Sequence, residues 1–400
     1  MDAILEILSN PSLLTWKQWA MLGIGLALIY LAIKKEYEPL LLLPMGVGCV
    51  LANFPTSAAV GAGLFGMISD IFGIKAAGIT GGHHGFLSFL FDIGIRNELF
   101  PILIFIAIGA MIDFSPLLKQ PVMMFFGGPG HIGVFVSLLL GLGINYLSPG
   151  FFSVQEAAAV GVIGAADGPT SIYMANNFAL KYLAPITVAA YSYMSLVPII
   201  QPPMIRLLTT RKERRIRMKA DYKALVSPKV VVLFPIVIIV ITGLLIPAGL
   251  ALVGPLMFGN LIRVCGVVDR LANAAQNELA NVVTLLLGIA VGSTMVADDF
   301  ITWQTLCIMA LGLLAFAFDT VGGVLFAKLI NLFLPHNHKL NPMIGAAGLS
   351  AFPMAARVVQ KMAQEEDHTN IILMPAIGAN VAGQIGSIVI GCILISLLGS

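Results

Sequence analysis

Charge is scarce in this chain. Of 400 residues only 10% are Asp, Glu, Lys or Arg, while 58% are hydrophobic; a soluble domain carries about 25% charged residues. So few charges cannot cover a globule of this size. The two or three soluble domains that the length alone suggests are excluded, and the apolar surplus must face lipid. Cysteine is sparse too. Cys49, Cys265, Cys307 and Cys392 lie far apart in apolar context with no CxxC, which excludes a disulfide framework and a thiolate metal site; they read as packing residues. The histidines offer no helical metal spacing. His83-His84 in a Gly-Gly-His-His-Gly loop and His336-Asn-His338 read as solvated loop residues. A nucleophile elbow, a P-loop and a dinucleotide fingerprint are absent, which argues against an ATP site. Asp2 and Glu6 stand where a signal peptide carries basic residues, so no cleaved leader is expected.

What is abundant is long apolar runs. Measured against the roughly 20 residues that cross a hydrocarbon core, the candidate spans are Trp16–Ile33, Leu40–Asn53, Leu99–Phe114, Pro121–Leu147 and Tyr182–Ile205, then Val230–Ile246, Leu250–Val268, Asn281–Ala297, Ile301–Leu334 and Ile371–Leu398. Several are short and one is over-long, which predicts broken or tilted helices. The fold class is therefore an all-α polytopic membrane protein of about ten transmembrane helices. Between the two sets of five lies a basic stretch: nine Lys or Arg from Arg206 to Lys229 are opposed only by Glu213 and Asp221. A nucleic-acid site is the alternative for such a cluster, but between two apolar spans it reads as a cytoplasmic loop. Counting outward from it places Lys34, Lys35, Lys119, Arg263, Arg270, Lys328 and Lys339 inside, the Asp298-Asp299 pair outside, and both termini outside. Lys75, Arg96 and Lys181 are exceptions.

The halves echo each other. Ile106-Ala-Ile-Gly109 returns as Ile289-Ala-Val-Gly292, and Ile163-Gly-Ala-Ala166 as Ile344-Gly-Ala-Ala347, in the same order at nearly one offset. Five spans per half is an odd number, so the copies would be inverted: 1–210 as the first repeat, 211–229 as the basic loop and 230–400 as the second repeat. Two stretches rich in small residues, 156–176 and 341–358, mix Gly, Pro and polar groups. They read as re-entrant segments, tolerated because they are buried in protein, and this transporter architecture predicts an ion site where they meet at the midplane.

In the first, Gly164-Ala-Ala-Asp-Gly-Pro-Thr-Ser171 sets Asp167 among small apolar residues. Gly168 and Pro169 break the helix and free carbonyls, and Thr170 and Ser171 add hydroxyls. These are hard oxygen ligands, suited to Na⁺, and the carboxylate can hold a proton when the cation leaves. An Asp there can alternatively cap the helix beginning at Gly168; an acid inside the membrane favours the functional reading. In the second, Asn341 and Ser350 offer neutral oxygens. Arg357, seven residues after Ser350, shares its face if the stretch is helical; its guanidinium suits a carboxylate or carbamate, or it is simply an orienting cytoplasmic charge. Asn380 is a further amide, which can also bond between helices. Tyr191 and Tyr193 lie inside a span and can bind the cation or donate a proton, or belong to an aromatic belt. Asp319 is a second intramembrane acid, which splits the over-long span.

At Gly164–Ser171 the sequence resembles the beta subunits of sodium-pumping biotin-dependent decarboxylases, which act on oxaloacetate, methylmalonyl-CoA or glutaconyl-CoA. The resemblance covers nearly the whole chain. It includes Glu38-Pro-Leu-Leu-Leu-Leu-Pro44, Tyr191-Ser-Tyr-Met-Ser-Leu-Val-Pro-Ile-Ile-Gln-Pro-Pro203, Asn341–Arg357 and Asn380–Ser387. It implies a membrane subunit that receives carboxybiotin, carried on a biotin carrier protein or domain, from a soluble carboxyltransferase alpha subunit, decarboxylates it and pumps Na⁺ outward across the bacterial inner membrane. A separate small gamma or delta membrane subunit and a homo-oligomeric assembly are implied as partners. The implied site residues are Asp167, Tyr193, Asn341, Gly345, Ser350, Arg357 and Asn380, with Asp167, Tyr193 and Arg357 in the reaction, and Arg357, Ser350 and Gly345 toward carboxybiotin. Asp167, Asn341, Ser350, Asn380, Tyr193 and Thr170 fall to Na⁺. The implied fold is an elevator-type scaffold and mobile core. A Na⁺-coupled carboxylate transporter of the same architecture fits composition, repeats and Asp167 equally well.

Overall fold

The structure is a computed structural model that describes residues 14–36, 38–53, 86–218, 226–335 and 338–399; His83, His84, His336, Lys75, Lys219, Asp221 and Lys223 lie outside them. Among the described residues it is helical throughout, with no strand.

Helix α1 (Trp16–Lys35) starts on a capping box between Thr15 and Gln18 and ends with Lys34 and Lys35 against its C-terminal dipole. Helix α2 is Pro39–Asn53. Next come α3 (Phe86–Phe91), a π turn (Asp92–Arg96) and α4 (Leu99–Met111), with Glu98 at φ 61 between them; the pair bends by 53°. Helix α5 is Ser115–Lys119. Two 3₁₀ turns, Pro121–Phe126 and Pro129–His131, precede α6 (Ile132–Leu147), because Gly127-Gly128-Pro129 cannot continue a regular helix. Then follow α7 (Val154–Val162), α8 (Gly168–Phe178), α9 (Leu183–Leu208) and α10 (Arg211–Arg214). The second half holds α11 (Pro228–Leu245), α12 (Leu250–Val264), α13 (Asp269–Ala274), a π turn (Ala275–Leu279) and α14 (Ala280–Ser293). It continues with α15 (Ala297–Phe300), α16 (Trp303–Phe333), α17 (Met354–Glu366) and α18 (Leu373–Leu398).

Among the described residues eight helical stretches are long and apolar enough to cross a membrane, or nine if the bent α3–α4 pair is one span. The tenth expected span is α2, whose 15 residues fall short of the roughly 20 required. The over-long span needs a correction. Asp319 does not split it: α16 runs unbroken for 31 residues. Without water to satisfy freed carbonyls, an apolar helix keeps its own hydrogen bonds through Asp319 and Gly322-Gly323.

Helix α2 packs between α1 and α14, and α12 between α11 and α4. Both contacts are backbone-close. A Cβ at Gly109 would strike the Leu256 carbonyl and one at Gly259 the Ile106 carbonyl; likewise Gly292 meets the Met45 carbonyl and Gly48 that of Ile289. Only glycine permits this approach. The broken segments gather elsewhere, around α16 and α18.

The described part of the basic stretch is pinned, not free. Arg206 pairs with Glu365 at 2.9 Å, Arg214 with Glu366 at 2.7 Å, Arg217 with Asp367 at 2.7 Å, and Lys328 with Glu213 at 2.9 Å. Two of the cations that broke the orientation pattern are also paired, Lys181 with Glu156 and Arg96 with Asp92. All four cysteines are free.

Candidate functional site

The first hairpin begins at a capping box of Ser153 and Glu156. Helix α7 tightens into a 3₁₀ turn, Ile163–Ala165, and Ala166 takes the left-handed conformation at φ 52. The chain then restarts as α8 with Pro169 in its first turn and Asp167 as its N-cap. Asp167 accepts from Thr170 N at 3.4 Å through Oδ1. Its Oδ2 accepts from Thr170 Oγ1 at 2.6 Å, Ser387 Oγ at 2.7 Å and Gln384 Nε2 at 3.0 Å. Capping and a polar centre are thus the same residue, not alternatives. Asp167 is 3% exposed, and no Lys, Arg or His pairs with its carboxyl among the described residues.

The second hairpin starts with Asn341, which caps a 3₁₀ run, Pro342–Gly348. Leu349–Pro353 is irregular, and α17 follows. The two breaks meet: Ser350 N donates to the Ala165 carbonyl at 3.2 Å. Helix α18 backs the junction. Ser350 Oγ donates to the Gly383 carbonyl at 3.2 Å, and Asn380 Nδ2 to the Leu349 carbonyl at 2.5 Å. Asn380 Oδ1 is buried without a partner among the described residues. Gln201 on α9 holds the second hairpin by donating to the Ala346 carbonyl at 2.8 Å.

The donor set suits a small hard cation. Each hydroxyl around Asp167 can turn its proton away and offer a lone pair, and the Gln384 amide can present its oxygen after a flip. A carboxylate, two hydroxyls and an amide, with the idle Asn380 oxygen nearby in sequence on α18, form an all-oxygen environment. No group of three or more His, Cys, Asp or Glu side chains placed to hold a metal occurs among the described residues.

Residues 17–398 match the profile of a family described as the Na⁺-transporting oxaloacetate decarboxylase beta subunit. The chain belongs to this family. It is 45% identical to the glutaconyl-CoA decarboxylase subunit beta of Acidaminococcus fermentans, over 96% of this chain and 94% of that one. It is 43% identical to the methylmalonyl-CoA decarboxylase subunit beta of Propionigenium modestum, covering 95% and 94%. It is also 43% identical to the oxaloacetate decarboxylase beta chain of Klebsiella pneumoniae, covering 92% of each. A membrane decarboxylase subunit with Na⁺ transport is thereby supported.

Not every expected site residue of the beta subunit lies with Asp167. Thr170 does, and Ser350 and Asn380 sit at the adjoining break. Asn341 does not: it donates to the Arg214 and Ile216 carbonyls at 2.8 and 3.0 Å and accepts from Met343 N, so its amide is spent on capping and on the basic stretch. Tyr193 donates to the Met309 carbonyl at 2.5 Å; it is Tyr191 whose ring packs over Gly168 beside the carboxylate. Arg357 is not on a helix shared with Ser350, since Pro353 and its neighbours interrupt the turn; it stands exposed in the first turn of α17. Gly345 faces Gly323, each against the other's carbonyl, so the second hairpin packs closely on α16 there. Sequence reasoning missed Gln384 and Ser387. The signal was there: Asn380, Gly383, Gln384 and Ser387 follow helical spacing and form one polar stripe.

Proposed function

We propose that this chain decarboxylates carboxybiotin delivered by a soluble carboxyltransferase alpha subunit on a biotin carrier, and that it couples this step to outward Na⁺ pumping. The observation that carries the reading is the Asp167 cluster, a buried carboxylate ringed by neutral oxygen-bearing groups where two helix breaks meet. Na⁺ is the cargo. It enters from the cytoplasm and binds Asp167 with Thr170, Ser387 and Gln384 as ligands, Ser350 and Asn380 flanking them. Arg357, exposed at the start of α17, orients the carboxyl group of carboxybiotin. When Na⁺ leaves outward, a proton from outside replaces it on Asp167 and is consumed as CO₂ departs. Moving one Na⁺ against 100 mV takes about 2.3 kcal/mol.

We read the architecture as two inverted repeats forming a scaffold and a mobile core, in the inner membrane, with both termini outside and a small gamma or delta subunit as companion. Three observations support it. Both π turns, Asp92–Arg96 and Ala275–Leu279, recur at the 183-residue offset of the sequence echo. The glycine contacts are reciprocal between halves, Gly109 and Gly292 sharing that offset. The first hairpin has its two ends joined by the Lys181–Glu156 pair, at the opposite end of α9 from the basic stretch, whereas the second ends on residues paired to that stretch.

The test is decarboxylation of free carboxybiotin by the purified chain, with the small membrane subunit present, with and without Na⁺. Turnover should rise with Na⁺ and fall to background in Asp167→Asn. Full Na⁺-dependent turnover in that variant would overturn the role of Asp167.

A further inference from the structure

Asp319 sits midway along α16 and is fully buried. Its Oδ1 accepts from Gly133 N at 2.5 Å, in the first turn of α6. Oδ2 has no hydrogen-bond partner among the described residues. It lies 2.9 Å from where a Cβ on Gly164 would stand, so the idle oxygen faces the first hairpin three residues before Asp167. Among the described residues no Lys, Arg or His forms an ion pair with Asp319.

Among the described residues, none of the titratable groups on the elements packed against α16 forms a hydrogen bond or an ion pair with Asp319. His131, just before α6, is buried with Nδ1 on the Gly127 carbonyl at 2.6 Å, and its Nε2 has no partner among the described residues. Tyr193 donates to Met309 on α16 itself, and Tyr191 packs over Gly168. Tyr146 is exposed at the end of α6, Glu156 pairs with Lys181, and Arg206 pairs with Glu365. The Gly133 N–H serves one oxygen of Asp319, and among the described residues nothing serves the other. A buried charge so placed is unfavourable. A proton cancels the charge and, unlike Na⁺, needs no ring of oxygen ligands.

We propose that Asp319 is a second cation site, one that holds a proton, and that its occupancy sets the Na⁺ affinity of the Asp167 cluster. The second clause rests on the reading of Asp167 as the Na⁺ site. Three residues from Gly164 to Asp167 span at most about 10 Å. A negative charge gained at that distance strengthens cation binding on the order of tenfold at an effective dielectric of about 20.

The experiment compares the full chain in lipid nanodiscs with Asp319→Asn and Asp167→Asn, by infrared spectroscopy and by Na⁺ binding isotherms across pH. Asp319→Asn should lose a protonated-carboxyl band that Asp167→Asn retains. Its Na⁺ affinity should be about tenfold weaker than the parent's at the alkaline end, with a flatter pH profile. An unchanged band and unchanged isotherms would overturn the proposal. So would loss of one bound Na⁺ per chain with the band intact, which would make the ligand Na⁺. Na⁺ binding that survives Asp167→Asn would sink the reading of Asp167 alone, leaving the band to decide Asp319. If Asp319→Asn does not fold, the deuterium-sensitive band in Asp167→Asn decides: its presence supports the protonated acid and its absence overturns it.

Discussion

Replacing Gly345 by Ala should damage the fold before it touches the chemistry. Gly345 and Gly323 approach with each Cα against the other's carbonyl, and an added methyl at 345 would also press on Val324 N, 2.8 Å away. Every atom in its path is backbone. A flexible side chain can swing aside; α16 and the 3₁₀ run of the second hairpin can separate only by moving as bodies. Overpacking typically costs about 1–3 kcal/mol, and the absence of any yielding neighbour places this case at the upper end. The assay is thermal unfolding of the purified chain in lipid nanodiscs, beside Gly143→Ala. Gly143 is exposed on α6 with nothing within 4 Å of its Cβ position, so Ala there should be neutral or stabilise by at most about 1 kcal/mol. Equal midpoints for Gly345→Ala and the parent, with turnover lost, would refute the packing account and return Gly345 to the role of a carboxybiotin contact.

Two further expectations follow from the site and the basic stretch. Ser387→Ala removes one hydroxyl from Asp167; hydrogen bonds to charged groups contribute about 1.5–3 kcal/mol, so Na⁺ affinity should fall roughly ten- to a hundredfold, read by a Na⁺ titration of turnover with Vmax largely kept. Arg214→Met leaves Glu366 and the Thr209 carbonyl, now bonded to its guanidinium, unpaired, so protease cleavage within 206–218 should speed up several-fold. The same pinning should persist from neutral pH down to about pH 4. The Thr369 hydroxyl and the Arg217 guanidinium hold Asp367 below the usual carboxylate range, at about 2. A depressed carboxyl contributes above its unfolded value and loses that contribution as pH falls toward the folded one. Cleavage that accelerates already at pH 6 would contradict it.

The polar, buried setting of Asp167 was legible because an acid beside Gly-Pro in an apolar run is too costly to keep without partners. The spans were legible because lipid imposes length. Gln384 and Ser387 hid inside α18, where four polar or small residues on one stripe are diluted by apolar residues on every other side. The surroundings of Asn341 were not legible, because an amide that caps a helix and one that binds an ion look the same in sequence; its bonds go to the carbonyls of Arg214 and Ile216, more than 120 positions away. Tyr191 and Tyr193 are separated by about 200° around a helix, and periodicity alone does not say which faces Asp167. Asp319 suggested a break because Gly322-Gly323 follows it, whereas those glycines serve close packing against Pro129 and Gly345.

The unbroken course of α16 has a mechanical consequence. At 1.5 Å per residue its 31 residues measure about 46 Å, against a hydrocarbon thickness of about 30 Å. Such a rod must lean or push its ends, which carry exposed Trp303 and Phe333, beyond the hydrocarbon. A thinner bilayer demands more lean. Because Gly164 and Gly345 both lie against this rod, its inclination carries both hairpins with it. Changing the acyl-chain length of the surrounding lipid is therefore expected to change the tilt of α16, and with it the placement of both hairpins.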